Sequence, residues 1–573
     1  MRLLRICLVL LLLLPVMVSA QVLTSSPHTG IVQVPIGDEV YAYLRHLSVR
    51  GLLADYSEAS LPITEYEVVR WLSSVDVLKL SQAEAELRSK YLQTYRREPY
   101  QAVTMFPAQQ AEPFFFTGIP TDYDKYLYRW RSDSTISDFQ VHGVGSLEYR
   151  KRSKPTDGSA VLGVIGGRFT GTLSGHVGFF METTNGQDFG DSSIALEDPI
   201  IGKNKNFAAF SNHNFFDQTT AELSYNMDWF TAKIAREAIS IGGSYQGNNV
   251  IISPNVQTPD FISLQAHVGA VRYQAIVASL LGDARFSAGQ DSTASDFGAG
   301  AYIDQKYLTI HDLTFALGNA VELGFTDLTI FSRRFDLAYV NPFSFLKSVE
   351  HSLNDRDNGL LALHARWRIA DGLEIRGQGL CDDIVASKIG TGYWGNKFAW
   401  QIGSMWSAPF GLNDIDVAFE HTRVEPFTYS HFNTQNAFTT SGQLLGAGIG
   451  PNSLNYWAMI RWAASAKLTL EATITLVERG ENIYNDTTGA LMVNVGSDYE
   501  QSIRAGDQEK FSILDGRRVN ITTLQATAKY ELWRGLTFFA QFLNRSVDYL
   551  TGTPITPIEK PYGLLTIGAK ALF

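Results

Sequence analysis

The residues best able to recognise a ligand are concentrated in one charged segment, residues 333–358. Arginine and carboxylate side chains on a loop beside a strand could bind a polar ligand such as a sugar through charge-assisted hydrogen bonds. Asn341-Pro342 interrupts the strand pattern, and a short helix is predicted for residues 344–353. An equally good interpretation is that these charges only balance one another, on a solvated loop or in a salt-bridge network. The candidate ligand-binding residues are Arg333, Arg334, Asp336, Glu350, Asp355, Arg356 and Asp357.

Motifs of known catalytic sites are missing from the chain. It has no Gly-x-Ser-x-Gly elbow, no His-Glu-x-x-His pair and no phosphate-binding glycine loop. The histidines are scattered, and Glu420 and His421 are neighbours whose side chains would point to opposite faces of a strand. The two cysteines are too few for a cysteine-rich zinc site. We therefore expect a protein that is not an enzyme and that has no catalytic residue, metal or cofactor.

Composition and charge restrict the class of protein. The net charge of -11 argues against a nucleic-acid partner. Aromatic residues make up 12%, charged residues only 18%, and the mean hydropathy is -0.06. A helical membrane protein would be far more apolar, and a soluble enzyme would usually carry more charge. A transmembrane β-barrel fits these values, because each of its strands faces lipid on one side and water on the other.

The first twenty residues predict export. Arg2 and Arg5 precede a leucine-rich apolar run, which is followed by small residues suited to signal peptidase. The apolar run is too short for a transmembrane helix, so we expect residues 1–20 to be a signal peptide cleaved after Ala20. Cleavage removes Cys7 and leaves Cys381 alone, which excludes an intramolecular disulfide.

Residues 36–98 show helical periodicity and capping signals. Apolar residues recur at helical spacing from Val40 to Leu47, and Gly51 follows where a C-terminal cap would lie. Two capping boxes predict the next two helices: Thr64 with Glu67, and Ser81 with Glu84. We expect residues 21–125 to form a periplasmic region of short helices and a linker.

From about residue 138 the period of the pattern changes from 3.6 to 2. In residues 467–477, for example, leucine, isoleucine and alanine alternate with lysine, threonine and glutamate. A soluble antiparallel sandwich also alternates in this way. The barrel is favoured because many segments reach about ten residues, the length that crosses a bilayer at a tilt. Runs rich in Asp, Asn, Gly and Ser predict long extracellular loops at residues 184–214, 285–298 and 478–518.

Aromatic pairs near the ends of predicted strands indicate the girdles of a membrane barrel. The three pairs are Trp229-Phe230, Tyr456-Trp457 and Phe538-Phe539. The nearly charge-free stretch 426–460 is the closest candidate for a spanning helix, but its Asn, Gln, Gly and Pro residues predict a polar loop instead.

The C-terminus strengthens the prediction of a barrel. The alternating residues Leu565, Ile567, Ala569, Ala571 and Phe573 share one face and end on an aromatic residue. This ending resembles the signal by which the barrel assembly machinery recognises outer-membrane proteins. At about 24 residues per strand and connection, residues 126–573 predict a large antiparallel barrel of about 16–18 strands in contact with outer-membrane lipid.

Two segments carry a resemblance to a known family. The first runs from Val34-Pro35-Ile36-Gly37 through Arg50-Gly51-Leu52 to Leu61-Pro62-Ile63-Thr64, and the second is Tyr339-Val-Asn341-Pro342-Phe343 with Glu350 and Asp355 to Asn358. With the overall layout, they resemble the capsule assembly Wzi-like outer-membrane proteins. The resemblance implies a barrel with a helical periplasmic unit that holds capsular or another surface polysaccharide, as a lectin without catalysis. It transfers no individual binding residue.

Other interpretations stay open. Residues 43–69 loosely resemble one S-layer-homology repeat, which would tether the barrel to peptidoglycan, although a helical plug or bundle is the better interpretation. Lumen-facing Lys, Glu, Arg and Gln also suit a porin or solute channel. A barrel hydrolase is the third hypothesis, and no nucleophile elbow or matched triad in the sequence supports it.

Overall fold

The computed structural model describes residues 28–97, 102–106, 115–196, 215–286, 301–555 and 558–573. In this part of the chain, eighteen antiparallel strands form a closed barrel, which confirms the predicted fold class. We number these strands β1 to β18 in chain order. They are β1 Ser137–Lys154, β2 Gly158–Leu173, β3 Val177–Gly190, β4 Phe215–Asn226, β5 Phe230–Arg236, β6 Asp260–Val268, β7 Val271–Phe286, β8 Ala301–Leu317, β9 Val321–Ser332, β10 Asn358–Ala370, β11 Leu373–Asp383, β12 Lys397–Ser407, β13 Ile415–Val424, β14 Ser453–Ala463, β15 Leu468–Glu481, β16 Arg517–Trp533, β17 Leu536–Tyr549 and β18 Tyr562–Leu572.

Each strand pairs with its neighbours in sequence, and β18 closes the barrel against β1 with Ile567 opposite Tyr149. The last residue takes part in this closure, since the Phe573 amide donates to the Gly143 carbonyl at 2.9 Å. The short strand Tyr128–Ser132 extends the same edge of β1. Further short strands are Ser60–Leu61, Ala102–Thr104, Asp124–Tyr126, Ser240–Ile241, Thr439–Thr440, Gln443–Leu444, Ile483–Tyr484 and Leu491–Val493.

The two ends of the barrel differ in their connections. One end, the short-turn rim, has connections of two to seven residues, such as 269–270 and 408–414. The other end, the long-loop rim, carries connections such as 237–259, 425–452 and 482–516. Residues 197–214 and 287–300, which cover much of two predicted loops, lie outside the described residues.

The outward face of the strands is apolar and exposed. Ile165, Ile262, Leu363 and Ile567 are all more than half exposed, and apolar side chains of this kind recur around the barrel. A continuous apolar surface of this extent would be unfavourable in water and suits the hydrocarbon of a membrane. Exposed aromatic residues lie near both ends of the strands: Trp367, Trp406, Trp462 and Tyr530 towards the short-turn rim, and Tyr149, Trp400 and Tyr456 towards the long-loop rim.

The predicted aromatic pairs needed correction, because neighbours on a strand point to opposite faces. Tyr456 faces outward, whereas Trp457 is buried inside the barrel with Tyr245. The polar loop predicted for residues 426–460 is wrong over its last part, where β14 begins at Ser453. The inward residues of β14 include Trp457 and Met459, so the strand lacks the polar and apolar alternation that marks most of the others.

The predicted N-terminal helices are α1 Val40–Val49, α2 Glu65–Ser74 and α3 Gln82–Tyr95. Both capping boxes form, on Thr64 and on Ser81. The remaining helices are α4 Phe115–Gly118, α5 Ser192–Leu196 and α6 Leu346–Ser352, with 3-10 turns at Val77–Lys79, Leu337–Tyr339, Ala386–Lys388, Pro409–Gly411 and Thr434–Asn436. Among the described residues, no helix is both long and apolar enough to cross a membrane.

Residues 28–97, which we call the plug, enclose a core of their own built on Leu44, Leu47, Leu72 and Trp71. The plug fills the short-turn end of the barrel, where Val49 is hydrogen-bonded to the turn between β10 and β11. The signal peptide predicted for residues 1–20 lies outside the described residues, so its cleavage after Ala20 stays a prediction, as does a domain boundary at residue 125.

Candidate functional site

Hydrogen bonds join the plug to strands around the barrel. On one side the Gly30 amide donates to Thr172 Oγ1 of β2 at 3.2 Å. On the opposite side the Val49 carbonyl accepts from the Gly372 amide between β10 and β11 at 2.8 Å. Lys529 of β16 contacts Glu39 at 3.1 Å. Because these contacts come from several directions, the plug cannot tilt out of the barrel without breaking most of them.

A buried charge cluster fixes α1 and α3 to the wall. His46 Nδ1 lies 2.7 Å from Asp416 Oδ1 on β13, and His46 Nε2 lies 2.8 Å from Glu84 Oε1 on α3. Arg50 also donates to Glu84. Burial alone would lower the pKa of His46, but the two carboxylates outweigh it and raise that pKa to about 9. The imidazole is therefore a cation held between two carboxylates at neutral pH.

A second buried cluster crosses the centre of the lumen. Glu58 of the plug accepts from Arg45 at 2.8 Å and from Arg376 of β11 at 2.5 Å. Burial acts to raise the pKa of Glu58, yet the two guanidinium groups outweigh it and hold that pKa at about 2. Arg376 also donates to Glu374 at 2.7 Å and lies over the Tyr245 ring, 4.7 Å from its centroid. The plug, the barrel wall and the loop of residues 237–259, which carries Tyr245, are thus all in contact with the guanidinium group of Arg376.

Two long loops fold back into the lumen above the plug. Loop 237–259 and loop 425–452 pack apolar side chains, among them Ile251 and Phe438, against Leu328 and other inward-facing residues of β7–β12. Lys306 of β8 donates to the Ala437 carbonyl at 2.7 Å and so holds the second loop. We call the inward face of β7–β13 the packed side, because its residues are mostly buried.

The inward face of β15–β18 and of β1–β2 is different, and we call it the accessible side. Its residues are mostly polar and half-buried, and ion pairs such as Arg150–Glu148 at 2.8 Å lie along it. Other members of this wall are Arg168, Glu471, Thr473, Thr523, Gln525 and Gln541. A side chain that is only half-buried inside a barrel of this width contacts water on its free side.

A cavity of about 400 Å³ lies between the plug, the two in-folded loops and the wall of β3 and β4. Gln218, Thr220 and Glu222 line it from β4, Gln257 and Gln443 line it from the loops, and Gln33 lines it from the plug. Gln33 is buried, and its Oε1 has no hydrogen-bond partner among the described residues. Amide and hydroxyl groups provide neutral donors and acceptors for the hydroxyls of a sugar, and a carboxylate accepts hydrogen bonds from those hydroxyls.

The structure places residues 333–357, which we call the external loop, on the outer face of the barrel. Residues Asp336, Arg356 and Asp357 come together: Arg356 contacts Asp336 at 2.7 Å and Asp357 at 3.2 Å. The Tyr339 hydroxyl donates to Asp357 at 2.8 Å. The backbone amide of Ala338 and then Arg356 keep the pKa of Asp336 below its usual range. This is the salt-bridge network that the sequence left open as an alternative.

The other four candidates stand apart from that network or only touch it. Glu350 is buried against the wall, where it pairs with Lys347 at 2.6 Å and accepts from the Gly359 amide at 3.3 Å. Asp355 is exposed beside His351. Arg333 and Arg334 are exposed at the top of the external loop, with Arg334 3.1 Å from Asp336. A ligand-binding role for the seven candidates stays a prediction.

Sequence reasoning missed the cavity, because its lining comes from segments spread from residue 33 to residue 443. No spacing rule connects Gln33, Gln218, Gln257 and Gln443. The one signal in the sequence is the density of Asn, Gln and Gly in residues 426–460, which predicts a polar loop. Within the described ranges, no group of three or more His, Cys, Asp or Glu side chains is placed to hold a metal ion.

Geometry defines the class of protein: a transmembrane β-barrel with a plugged lumen. The chain matches no known family model and no curated protein sequence. Its fold is similar to that of Wzi from Escherichia coli, described as an outer-membrane protein involved in group 1 capsule assembly and as a carbohydrate-binding β-barrel. The TM-score is 0.56 at 10% identity, covering 95% of this chain and 99% of that one.

Weaker similarity extends to outer-membrane proteins with other names. OprD from Pseudomonas aeruginosa matches with a TM-score of 0.40 at 11% identity, over 76% of this chain and 95% of that one. OccAB2 from Acinetobacter baumannii matches with a TM-score of 0.44 at 10% identity, over 76% of this chain and 98% of that one. At such identities, similarity to Wzi shows the fold alone, and the two weaker matches carry no argument.

Proposed function

We propose that this protein is a non-enzymatic outer-membrane protein that attaches or assembles a surface polysaccharide, as a Wzi-like lectin. The Wzi fold is that of a carbohydrate-binding barrel, and the resemblance of residues 34–64 and 339–358 points to the same family. In outer-membrane barrels the short turns face the periplasm and the long loops face the cell exterior. The plug would then close the periplasmic end of the lumen.

One observation carries the proposal: a cavity lies above a lumen end that the plug fills, and its lining combines glutamine, threonine and glutamate side chains with apolar ones such as Phe180 and Val256. Glutamine and threonine side chains hold sugars by hydrogen bonds without demanding a charged ligand. Glu222 adds a carboxylate that suits hydroxyl donors, and its Oε2 already accepts from the backbone N–H of Gln33 at 3.2 Å. A plug held to several strands at the periplasmic end favours holding a polymer at the surface over passing a large solute.

The decisive experiment measures binding of the purified barrel to surface polysaccharide from its source strain. We expect wild-type protein to retain the polysaccharide in a pull-down, and the double variant Gln218→Leu/Gln257→Leu to lose most of that retention. The matched control is Gln525→Leu, an inward glutamine on β16 outside the cavity. Absence of binding by the wild type, together with unchanged capsule retention in a deletion strain, would end the proposal.

A solute channel is the second candidate, and the accessible side favours it. Half-buried polar side chains line β15–β18 and β1–β2, as they would line a wet path beside the plug. Conductance in planar bilayers separates the two functions. Sustained open channels in the wild type would favour the channel, and rare or brief openings would favour polysaccharide attachment.

A further inference from the structure

The outward apolar pattern is interrupted on two neighbouring strands. Thr309 and His311 of β8, and Asp327 and Thr329 of β9, point to the outer face, where other strands carry Leu, Ile, Val or Phe. All four are buried, Thr309 and Thr329 completely. A carboxylate or hydroxyl facing hydrocarbon without a partner is strongly unfavourable, so something must cover this patch.

The external loop is that cover. The Leu346 amide, at the start of α6, donates to Asp327 Oδ2 at 2.6 Å. His311 Nδ1 lies 3.0 Å from the Ser344 carbonyl, and Tyr273 of β7 donates to the Pro342 carbonyl. Phe331 of β9 stacks on Tyr339 of the loop with ring centroids 4.7 Å apart, and both pack in one cluster with Leu346 of α6. The loop is therefore packed along the outer wall and not raised above the rim.

Its depth follows from the positions of its contacts on the strands. Trp400 and Tyr456 belong to the aromatic girdle near the long-loop rim. Each is the fourth residue of its strand, counted from that rim. On β9 the corresponding position is Thr329. Asp327 lies two residues further towards the barrel middle, and the segment that covers it lies at the same height. Residues 342–346 are thus below the girdle, at the level of lipid chains.

The surface that the loop turns away from the barrel carries a group of exposed apolar side chains, beside polar residues such as Asn341 and Ser348. Phe343 is 90% exposed and Leu337 77%, and Phe335 and Phe345 are about half exposed. On a loop in water, four such side chains would be unfavourable, whereas at membrane depth their exposure is favoured by contact with acyl chains. Arg333 and Arg334 directly follow the end of β9, so they stand above this apolar surface at headgroup height.

We propose that the external loop is a lipid-binding strap, embedded in the outer leaflet on the outside of the barrel. Its aromatic and leucine side chains contact acyl chains, and Arg333 and Arg334 bind the phosphate groups of the lipids above them. Guanidinium groups bind phosphate by paired, charge-assisted hydrogen bonds, and this is the usual chemistry of lipid phosphate recognition at a membrane surface. The strap is independent of the cavity and of any polysaccharide.

The depth of the strap is tested with an environment-sensitive label. In a Cys381→Ser background, Phe343→Cys is labelled with the fluorophore NBD, and the barrel is inserted in phosphatidylcholine vesicles. We expect quenching by lipids with a doxyl group on the acyl chain and little quenching by aqueous iodide. The control is Asp355→Cys, on the exposed part of the same loop. Leu337→Cys repeats the test at a second exposed position.

A label at position 343 that iodide quenches as strongly as one at position 355 would show that the strap stands in water. That result overturns the proposal, because the loop would then be an ordinary surface loop. The substitutions remove side chains that are mostly exposed, so the fold should survive them; heat-modifiable migration on gels checks this.

Phosphate binding is tested by lipid retention. Barrels in nanodiscs of phosphatidylcholine with lipid A are compared by native mass spectrometry. We expect Arg333→Gln/Arg334→Gln to retain lipid A about tenfold less, the change expected for loss of a charge-assisted hydrogen bond. The control is Arg236→Gln, an exposed arginine at the same rim on β5, away from the strap. Its pairing with Asp260 at 2.6 Å matches that of Arg334 with Asp336 at 3.1 Å, so it controls for the loss of a paired surface charge. Equal retention in wild type and double variant, or equal loss in the control, would refute phosphate binding.

Discussion

The packed side and the accessible side of the lumen are made from the same kind of alternating strand, yet only one of them is filled. On the packed side, Leu328 and Arg376 are enclosed by the plug and by two loops that return into the barrel. On the accessible side, Leu543 and Arg150 face inward but stay half-buried. The alternation in the sequence therefore determines whether a side chain points inward or outward. Whether an inward side chain is buried depends on the plug and the loops that occupy the lumen.

The largest expected difference between the two sides comes from removing a buried cation. Arg376→Met leaves Glu58 and Glu374 without the guanidinium they share, and we expect a loss of about 3–5 kcal/mol in the free energy of unfolding. Arg150→Met on the accessible side breaks a pair with Glu148 in which the two side chains are still 13% and 15% exposed to water, so it should lose less, about 1–2 kcal/mol. Urea unfolding in detergent measures both. Similar losses would mean that the accessible side is as dry as the packed side.

Apolar packing gives the next contrast. Leu328 is completely buried in the core that fills the packed side, so Leu328→Ala should lower the free energy of unfolding by about 3 kcal/mol. Leu543 is half-buried on β17, and Leu543→Ala should lower it by about 1 kcal/mol, in proportion to the smaller area hidden from water. The same urea titration applies. A loss at position 543 as large as that at position 328 would contradict the comparison.

The plug's charge cluster predicts a pH dependence. The folded-state pKa of His46, about 9, lies above its ordinary value of 6.5, so its stabilisation is complete below about pH 6.5. It is lost as the pH rises towards and through 9, by up to about 3 kcal/mol, because the uncharged imidazole no longer pairs with Asp416 and Glu84. His46→Gln should be less stable than wild type at pH 6 and closer to it at pH 10. Parallel curves for both proteins would show that His46 does not bind its proton more tightly in the fold.

Much of the barrel could be predicted because its pattern is local. Alternation over ten residues specifies a strand and its faces, and the C-terminal run to Phe573 marks the closing strand. Capping boxes on Thr64 and Ser81 are equally local, so the two helices that follow them begin where the sequence indicates. The count of 16–18 strands was confirmed at eighteen, since it needed only chain length and strand spacing.

What the sequence could not specify depends on contacts between distant residues. The path of loops 237–259 and 425–452 back into the lumen rests on bonds such as that of Lys306 to Ala437, 131 residues apart. The position of the external loop on the outer wall has a weak local signal, the polar outward residues Asp327 and Thr329 on an otherwise apolar face. That break in the pattern marks a covered patch, but it does not say which segment covers it.

The smallest contrast separates a hydroxyl in a dry network from one in contact with water. Thr326 on the packed side is completely buried and donates to Asp312 at 2.7 Å, so Thr326→Val should lower the free energy of unfolding by about 1–2 kcal/mol. Thr523 on the accessible side is half-buried, and Thr523→Val should change it by less than about 0.5 kcal/mol, because water replaces any bond the hydroxyl makes. Urea midpoints of the two isosteric variants give the answer. An equal loss at both positions would place the inward hydroxyls of β16 in the same dry environment as those of β9, and the accessible side would then be no path for water.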